Sequence, residues 1–252
     1  NYKGGKNGLG VKLVSIFSTR VELEVCDPDR KKRYRQTSRD NMAVVEPARV
    51  SAWANKGGKV SVKFWPDLAR FGMERLDADV EAFVRTRAIE VMCTGSAGGL
   101  SLCYGGERLW KKQATFKAFA AAHLSAGTPL VYHEAAADGA GDVAWRVALA
   151  PSGGVPGAEA GGFFHSSFVN GIHTHRGGAH VKLVRDRVTD LIATELRRKV
   201  KGASIPPGWI AKHLAVFVDV RVARPAFEGQ TKDLLKTPAA RLPKLAAGLP
   251  AD

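Results

Sequence analysis

Four glycines fall within seven residues near the start of the chain, in Gly4-Gly5-Lys6-Asn7-Gly8-Leu9-Gly10-Val11-Lys12. A periodic apolar run follows at once: Val11, Leu13, Val14, Ile16 and Phe17. Glycines let a backbone turn its amides toward an anion, and a helix N-terminus adds unpaired N–H groups and partial positive charge. The pattern reads as a phosphate cradle running into a helix. Taken alone it reads equally well as a plain glycine-rich turn ahead of a helix.

The chain has 252 residues, 45% of them hydrophobic, enough for one large domain or two modest ones. Its net charge of +14 points to a polyanionic partner, nucleic acid before others. A basic surface serving solubility is the plain alternative. Cys26, Cys93 and Cys103 are too few and too scattered for a disulfide framework or a zinc site, and they fit a reducing, intracellular compartment. No apolar run is long enough for a membrane span, and no signal peptide is visible. The chain opens at Asn1 rather than Met, almost inside a motif, which suggests a fragment or the ordered part of something longer.

Periodicity predicts a helix over about 10–18, an alternating strand at Val21–Val25, a turn at Asp27-Pro28-Asp29 and a basic returning strand at Lys31–Thr37. Lys59–Trp65 alternates again and stops at Pro66-Asp67. Asp77–Met92 reads as a helix with Val80, Phe83, Val84 and Val91 on its apolar face. The stretch Thr94-Gly95-Ser96-Ala97-Gly98-Gly99 places a domain boundary, giving domains 1–95 and 96–252. Beyond it, strands are predicted at Leu100–Tyr104, Pro129–His133, Val143–Leu149, Phe163–Asn170 and Leu214–Val222, the last one buried. Residues 151–162 read as a mobile Gly/Pro/Ala loop, and Ala179–Val200 as a long helix. The fold class is α+β, helix on sheet, twice.

Four ordered motifs carry a resemblance. The segment Gly4–Ser18 resembles the third nucleotide-binding motif of the GHKL ATPases, in the form found in eukaryotic-type or viral type IIA DNA topoisomerases. Phe64-Trp65-Pro66-Asp67-Leu68, with Phe71, Met73, Glu74, Leu76 and Asp77, is similar to the stretch closing the ATPase domain of that family. Ser167-Phe168-Val169-Asn170-Gly171-Ile172, with Gly177, Gly178, His180 and Val181, resembles the transducer signature. The last motif, usually Asn-Pro-x-Phe-x-x-Gln-Thr-Lys, reads Arg224-Pro225-Ala226-Phe227-Glu228-Gly229-Gln230-Thr231-Lys232 here. The resemblance implies the C-terminal part of a GHKL (Bergerat) α/β sandwich followed by a transducer of ribosomal-protein-like α/β fold.

The resemblance also implies roles. ATP is the expected ligand, bound by Gly5, Lys6, Asn7, Gly8, Leu9, Gly10, Val11 and Lys12. The amides of Asn7–Gly10 would face the phosphates. Lys6 and Leu9 stand where relatives often have Arg and Tyr, so backbone contacts are expected to survive and side-chain contacts there are open. Gln230 and Lys232 are the expected catalytic pair at the γ-phosphate. The family's general base, its Mg²⁺ ligand and its adenine-binding motif precede the glycine loop and cannot be placed in residues 1–3. The expected cofactors are therefore ATP and Mg²⁺, the latter held upstream of residue 1. The cleavage core and its Tyr would lie beyond Asp252. The expected partners are double-stranded DNA, a second copy in a homodimer and that core, in a nuclear or other DNA-containing compartment, a virus factory or virion included.

Arg197, Arg198, Lys199 and Lys201 close the long helix. Cations there complement the helix C-terminus; the resemblance adds a basic loop that meets the transported duplex. Arg30-Lys31-Lys32-Arg33 reads as a solvated strand edge. His173, His175 and His180 invite a metal, but lack the Cys or carboxylate company such a site needs, and no metal site is assigned. Asp27-x-Asp29 and Asp77-x-Asp79 read as a turn and a helix start. Two other classes stay open: a catalytically incomplete basic DNA-binding module, and another GHKL ATPase.

Overall fold

The computed structural model describes residues 5, 8–95, 101–109, 115–136, 143–158, 161–200 and 205–245. They form two compact units, Gly5–Ala82 and the chain from Phe83 onward. The division falls within a helix of residues 78–94, and each unit is described by itself.

The first unit holds α1 (Leu9–Ile16), β1 (Ser18–Asp27), β2 (Lys32–Arg39), β3 (Val44–Val45), β4 (Arg49–Ala52), β5 (Lys59–Pro66) and the start of α2 (Ala78–Thr94). The strands make an antiparallel sheet in the order β3-β2-β1-β5, with β4 also on β2. The β1–β2 turn is closed by Asp27, whose Oδ1 accepts the N–H groups of Asp29 and Arg30, each at 3.0 Å. That is the Asx geometry that Asp brings to turns. β2 is an inner strand, so its cations do not guard an edge as expected. Arg30 pairs with Asp27 and Arg33 with Glu24. The Arg33 and Lys59 hydrogen bonds hold the Glu24 carboxyl down at about 2. The apolar run of α1 is also not a core stripe: Val11, Leu13, Ile16 and Phe17 are exposed among the described residues. The helix end is fixed by polar contacts instead. Asp67 N–H donates to Phe17 O at 2.9 Å, and Asn41 Nδ2 bridges Ile16 O and Asp67 Oδ2.

The second unit continues with the end of α2 and then β6 (Cys103–Tyr104), β7 (Glu107–Arg108), α3 (Phe116–Ala122), β8 (Val131–Ala136), β9 (Val143–Pro151), β10 (Phe164–Val169), β11 (Ile172–His173), α4 (Ala179–Lys199), α5 (Pro207–Lys212) and β12 (Leu214–Val220). Its main sheet runs β11-β10-β12-β9-β8, with β10 and β12 parallel and the other pairs antiparallel. A parallel pair requires a crossover, and α4 supplies it. β12 is buried along its whole length, as its apolar sequence, broken only by Asp219, predicts. One face of the sheet, with Trp145, Val147, Val216 and Val218, packs on Val184 and Val188 of α4. The other, with Phe168, Ala215 and Phe217, packs on Phe116 and Phe119 of α3 and on Cys93 of α2. This unit therefore has three layers rather than the two expected. In α2 the buried side carries Glu90, Met92, Cys93 and Thr94, while Phe83, Val84 and Val91 are exposed. Val84 and Val91 do share a stripe, but it is the one turned away from this core. The expected loop at 151–162 begins as a packed turn, with Ser152, Gly154 and Val155 buried.

A transverse row crosses the second face. Glu134, Arg146, Asp219, Phe168 and His173 sit opposite one another on five adjacent strands. Arg146 Nη1 donates to Asp219 Oδ2 at 3.0 Å and to Thr94 O at 3.3 Å. His173 stacks on Phe168, and its Nδ1 lies 3.1 Å from Glu90 Oε1. Arg146 and His173, on β9 and β11, thus grip the end of α2. Burial outweighs the pull of Arg146 and Arg221 on Asp219 and pushes its carboxyl up to about 6. The folded protein then holds a proton that the unfolded chain has released between pH 4 and 6, so stability falls as pH rises through that window. We expect the stability of the wild type relative to Asp219→Asn to be greater at pH 5 than at pH 7. Urea unfolding of both proteins at the two pH values measures it; a pH-independent difference contradicts the shifted carboxyl.

Candidate functional site

Two segments hold the groups suited to phosphate chemistry, one in each unit. In the first, Gly8 takes φ 64°, ψ 14° and opens α1 without any side-chain cap. A left-handed residue at that point is cheap only for glycine. The first turn carries no acidic residue. The first amides of a helix have no intrahelical partner, and here no side chain of the described residues caps them. A Cβ built on Gly8 or Gly10 meets nothing within 4 Å, so the backbone is open to a ligand. Leu9, Gly10, Val11 and Lys12 are exposed, as is Gly5. A helix end of this kind suits a phosphate. Lys6 and Asn7 lie outside the described residues.

In the second unit the segment from Arg224 to Thr237 folds back on itself. Its base is pinned by Lys236 N–H to Ala226 O at 2.8 Å and Glu228 N–H to Leu234 O at 3.0 Å. Leu235 is buried in the α4-side core and bridges both Phe227 and Gly178. Lys232, at the tip with Gln230, takes φ 62°, and its N–H donates to Gly229 O at 3.2 Å. The left-handed region costs a non-glycine residue about 1–2 kcal/mol, so the surrounding contacts must hold Lys232 there. Gln230 is exposed and Lys232 half-buried.

Arg197, Arg198 and Lys199 form the exposed last turn of α4, with Lys201 outside the described residues. Arg198 is tied to Glu195, giving Nε and Nη2 to one carboxylate oxygen at 3.0 and 2.8 Å. Those hydrogen bonds lower the Glu195 carboxyl.

The histidines divide by environment. His180 is fully buried, with Nε2 3.1 Å from Thr174 Oγ1, and burial drives its imidazole down to about 3, so it is neutral at physiological pH. His173 serves the transverse row, and His175 Nδ1 lies 3.5 Å from Asp233 Oδ1. Among the described residues no group of three or more His, Cys, Asp or Glu is placed to hold a metal ion. No described helix is long and apolar enough to cross a membrane.

Sequence reading did not find the contacts that hold these segments: Asn41 and Asp67 at the end of α1, Gly178 under Leu235, and Asp233 beside Lys232. Asp67 and Gly178 stood in motifs without their contacts being named, and Asp233 had a local signal, a Thr and an Asp flanking the Lys.

Known proteins are similar to this chain over most of its length. The DNA gyrase B family model matches residues 159–246. DNA topoisomerase 2 of Candida glabrata is 32% identical over 251 residues, covering 93% of this chain and 17% of the relative. DNA topoisomerase 2 of Drosophila melanogaster is 35% identical over 237 residues, covering 91% and 15%. The crystal structure of the ATPase and transducer domains of DNA topoisomerase II from Balamuthia mandrillaris superposes with a TM-score of 0.82 at 30% identity, covering 98% of this chain and 60% of that one. The ATPase region of Saccharomyces cerevisiae topoisomerase II gives 0.78 at 30% identity, covering 96% and 58%. The chain therefore spans about a sixth of the curated relatives and about three fifths of these solved chains.

Gly178 gives the sharpest test of the second segment. It takes φ 140°, and a Cβ there would lie 2.5 Å from Leu235 O and 2.8 Å from Leu235 Cβ, both fixed in the core. We expect Gly178→Ala to lower the unfolding free energy by more than about 1 kcal/mol, read from the denaturant midpoint; a neutral effect contradicts the close approach.

Proposed function

Because the chain is similar over nearly its whole length to the ATPase and transducer domains of type II DNA topoisomerases, we propose that it is a segment of that family and part of a nucleotide-gated clamp. The clamp captures one DNA duplex and passes it through another. The observation that carries the reading is the order of parts. A glycine-opened, uncapped helix N-terminus comes first, and a loop presenting Gln230 and Lys232 follows. The whole lies in a chain 30% identical to an ATPase–transducer structure over 98% of its length. We assign residues 1–95 to the ATPase domain and 96–252 to the transducer.

Bound ATP supplies a γ-phosphate whose presence or loss distinguishes two states. Gly5, Lys6, Asn7, Gly8, Leu9, Gly10 and Val11 bind the phosphates chiefly through backbone amides, and Lys12 adds a cation. Gln230 donates to the γ-phosphate. Lys232 places a point charge where oxygens gain charge during phosphoryl transfer, which is where a cation lowers the barrier most. These groups are all donors and cations. None is a carboxylate, so the set does not suit Mg²⁺ and no step is assigned to that ion. Arg197, Arg198, Lys199 and Lys201 contact the sugar-phosphate backbone of the duplex without reading sequence. The partners are double-stranded DNA, a second copy of the chain and the DNA-cleaving remainder of the enzyme. The relatives named above come from cellular eukaryotes, which favours the nucleus over a viral compartment.

A second reading keeps the basic surface and drops the nucleotide: a DNA-binding module whose affinity ignores ATP. The exposed cations at the end of α4 favour it, and salt and nucleotide together separate the two. In the full-length enzyme, a non-hydrolysable ATP analogue should lock the dimer onto circular DNA in a salt-stable form. Lys232→Ala should lower kcat for ATP about 10²-fold, the loss typical of one electrostatic stabiliser. Nucleotide-independent DNA retention would move the assignment to the second reading. Neutralising Arg197 and Lys199 to Gln should reduce the slope of log K against log salt by about 1.8, some 0.9 per phosphate contact. An unchanged slope would remove this helix end from the DNA interface.

A further inference from the structure

Lys232 sits between two side chains that are joined to each other. The hydroxyl of Thr231 donates to Asp233 Oδ2 at 2.7 Å, closing a small ring around the lysine backbone. The other carboxylate oxygen of Asp233 faces His175 Nδ1 at 3.5 Å, and its backbone carbonyl accepts the Arg176 N–H at 3.1 Å. Four residues before Lys232, Glu228 bridges Arg176 and Lys236, the latter at 3.3 Å. The strands of the loop are thus strapped at the base by Glu228 and at the tip by Asp233, and both straps run to the same His175-Arg176 corner ahead of α4.

We propose that Asp233 and Glu228 are positioning residues for Lys232, holding its backbone in the left-handed conformation that aims its ammonium group. Asp233 acts on the tip through Thr231 and His175, and Glu228 acts on the base through Arg176 and Lys236. The proposal rests on reading Lys232 as the γ-phosphate contact. The Glu228–Arg176 strap is a solvent-exposed ion pair, with Glu228 38% and Arg176 54% accessible. Pairs this exposed contribute little to global stability. A glycine would adopt φ 62° without help, whereas this chain keeps a cation there and surrounds it with contacts. Strain retained at one charged residue by such neighbours is the pattern expected where direction matters more than stability. Asn keeps the acceptor for the Thr231 hydroxyl and loses only the charge, so it separates the ring from the carboxylate charge that faces His175.

The test uses the full-length enzyme with Asp233→Ala, Asp233→Asn, Glu228→Ala and Lys232→Ala, each checked for an unchanged melting temperature. Amide hydrogen exchange across Gln230–Leu234 is measured without nucleotide, and kcat and KM for ATP are measured separately. We expect Asp233→Ala to speed exchange of the Lys232 amide about tenfold or more, and to lower kcat about tenfold with KM for ATP little changed, as for an interaction made in the transition state. Glu228→Ala should do the same more weakly, and Asp233→Asn should stay within about threefold of wild type in both measurements. Unchanged exchange in Asp233→Ala overturns the proposal. So does faster exchange with full kcat in an enzyme that Lys232→Ala does impair. If Lys232→Ala retains full kcat, the γ-phosphate reading fails, and exchange alone decides whether Asp233 holds the loop.

Discussion

The Arg146–Asp219 pair, buried between α2 and the large sheet, is the contact on which the second unit turns. The guanidinium lies opposite Asp219 on one neighbouring strand and Glu134 on the other, and still reaches the carbonyl of Thr94. Breaking such a pair from one side leaves an uncompensated charge in the core, which costs about 3–5 kcal/mol. The same row seats His173 against Glu90 one turn earlier in α2. The end of α2 is therefore held by polar contacts from two strands of the sheet, β9 and β11, with Cys93 packed among phenylalanines between them. Polar seats of this kind fix register and direction, whereas an apolar seat alone would let a helix slide.

From that sheet the loop of Gln230 and Lys232 is reached in few steps. Asn170, at φ 52° in the β10–β11 turn, accepts the N–H of Val222 and donates to its carbonyl, both at 2.9 Å. That fixes the exit of β12, the strand that leads to the loop. Leu235 then returns the chain to the core under Gly178, at the start of α4. The transducer-like motifs, separate in sequence, are one structural unit: a turn that clamps the strand exit, a glycine that admits the loop, and the loop itself.

Much of this was legible in the sequence because each signal was local. Alternation marked β1 and β5, basic residues returning after the Asp27-Pro28-Asp29 turn marked β2, the largely apolar run Leu214–Val222 marked a buried strand, and a long stripe marked α4. The ordered motifs carried the family. Short or composition-poor elements escaped. α3 is seven residues whose alanines and phenylalanines carry no distinctive period, and β3, β7 and β11 are two residues each. Faces escaped as well. The stripes of α1 and α2 were readable, but whether they were buried depended on what packs beside them, and a sequence period does not encode that. The buried charge of Asp219 was hidden inside a valine-rich strand, where nothing in the strand itself names Arg146, 73 residues away.

The two candidate phosphate-handling segments differ in what supplies the donors, and that difference explains why one was easier to read. Backbone amides at a helix start need only a permissive backbone, which Gly8 provides by itself; the side chains at Lys6 and Leu9 are then free to vary without loss of the donors. A lysine ammonium on four rotatable carbons has no direction until its backbone and neighbours give it one. The loop of Lys232 accordingly draws on His175, Arg176, Glu228, Asp233 and Lys236, residues spread over 62 positions and brought to one corner by α4 and the core. Backbone recognition writes itself into the sequence as glycine spacing. Side-chain recognition is written into tertiary contacts, so the motif names the lysine and the fold alone names what aims it.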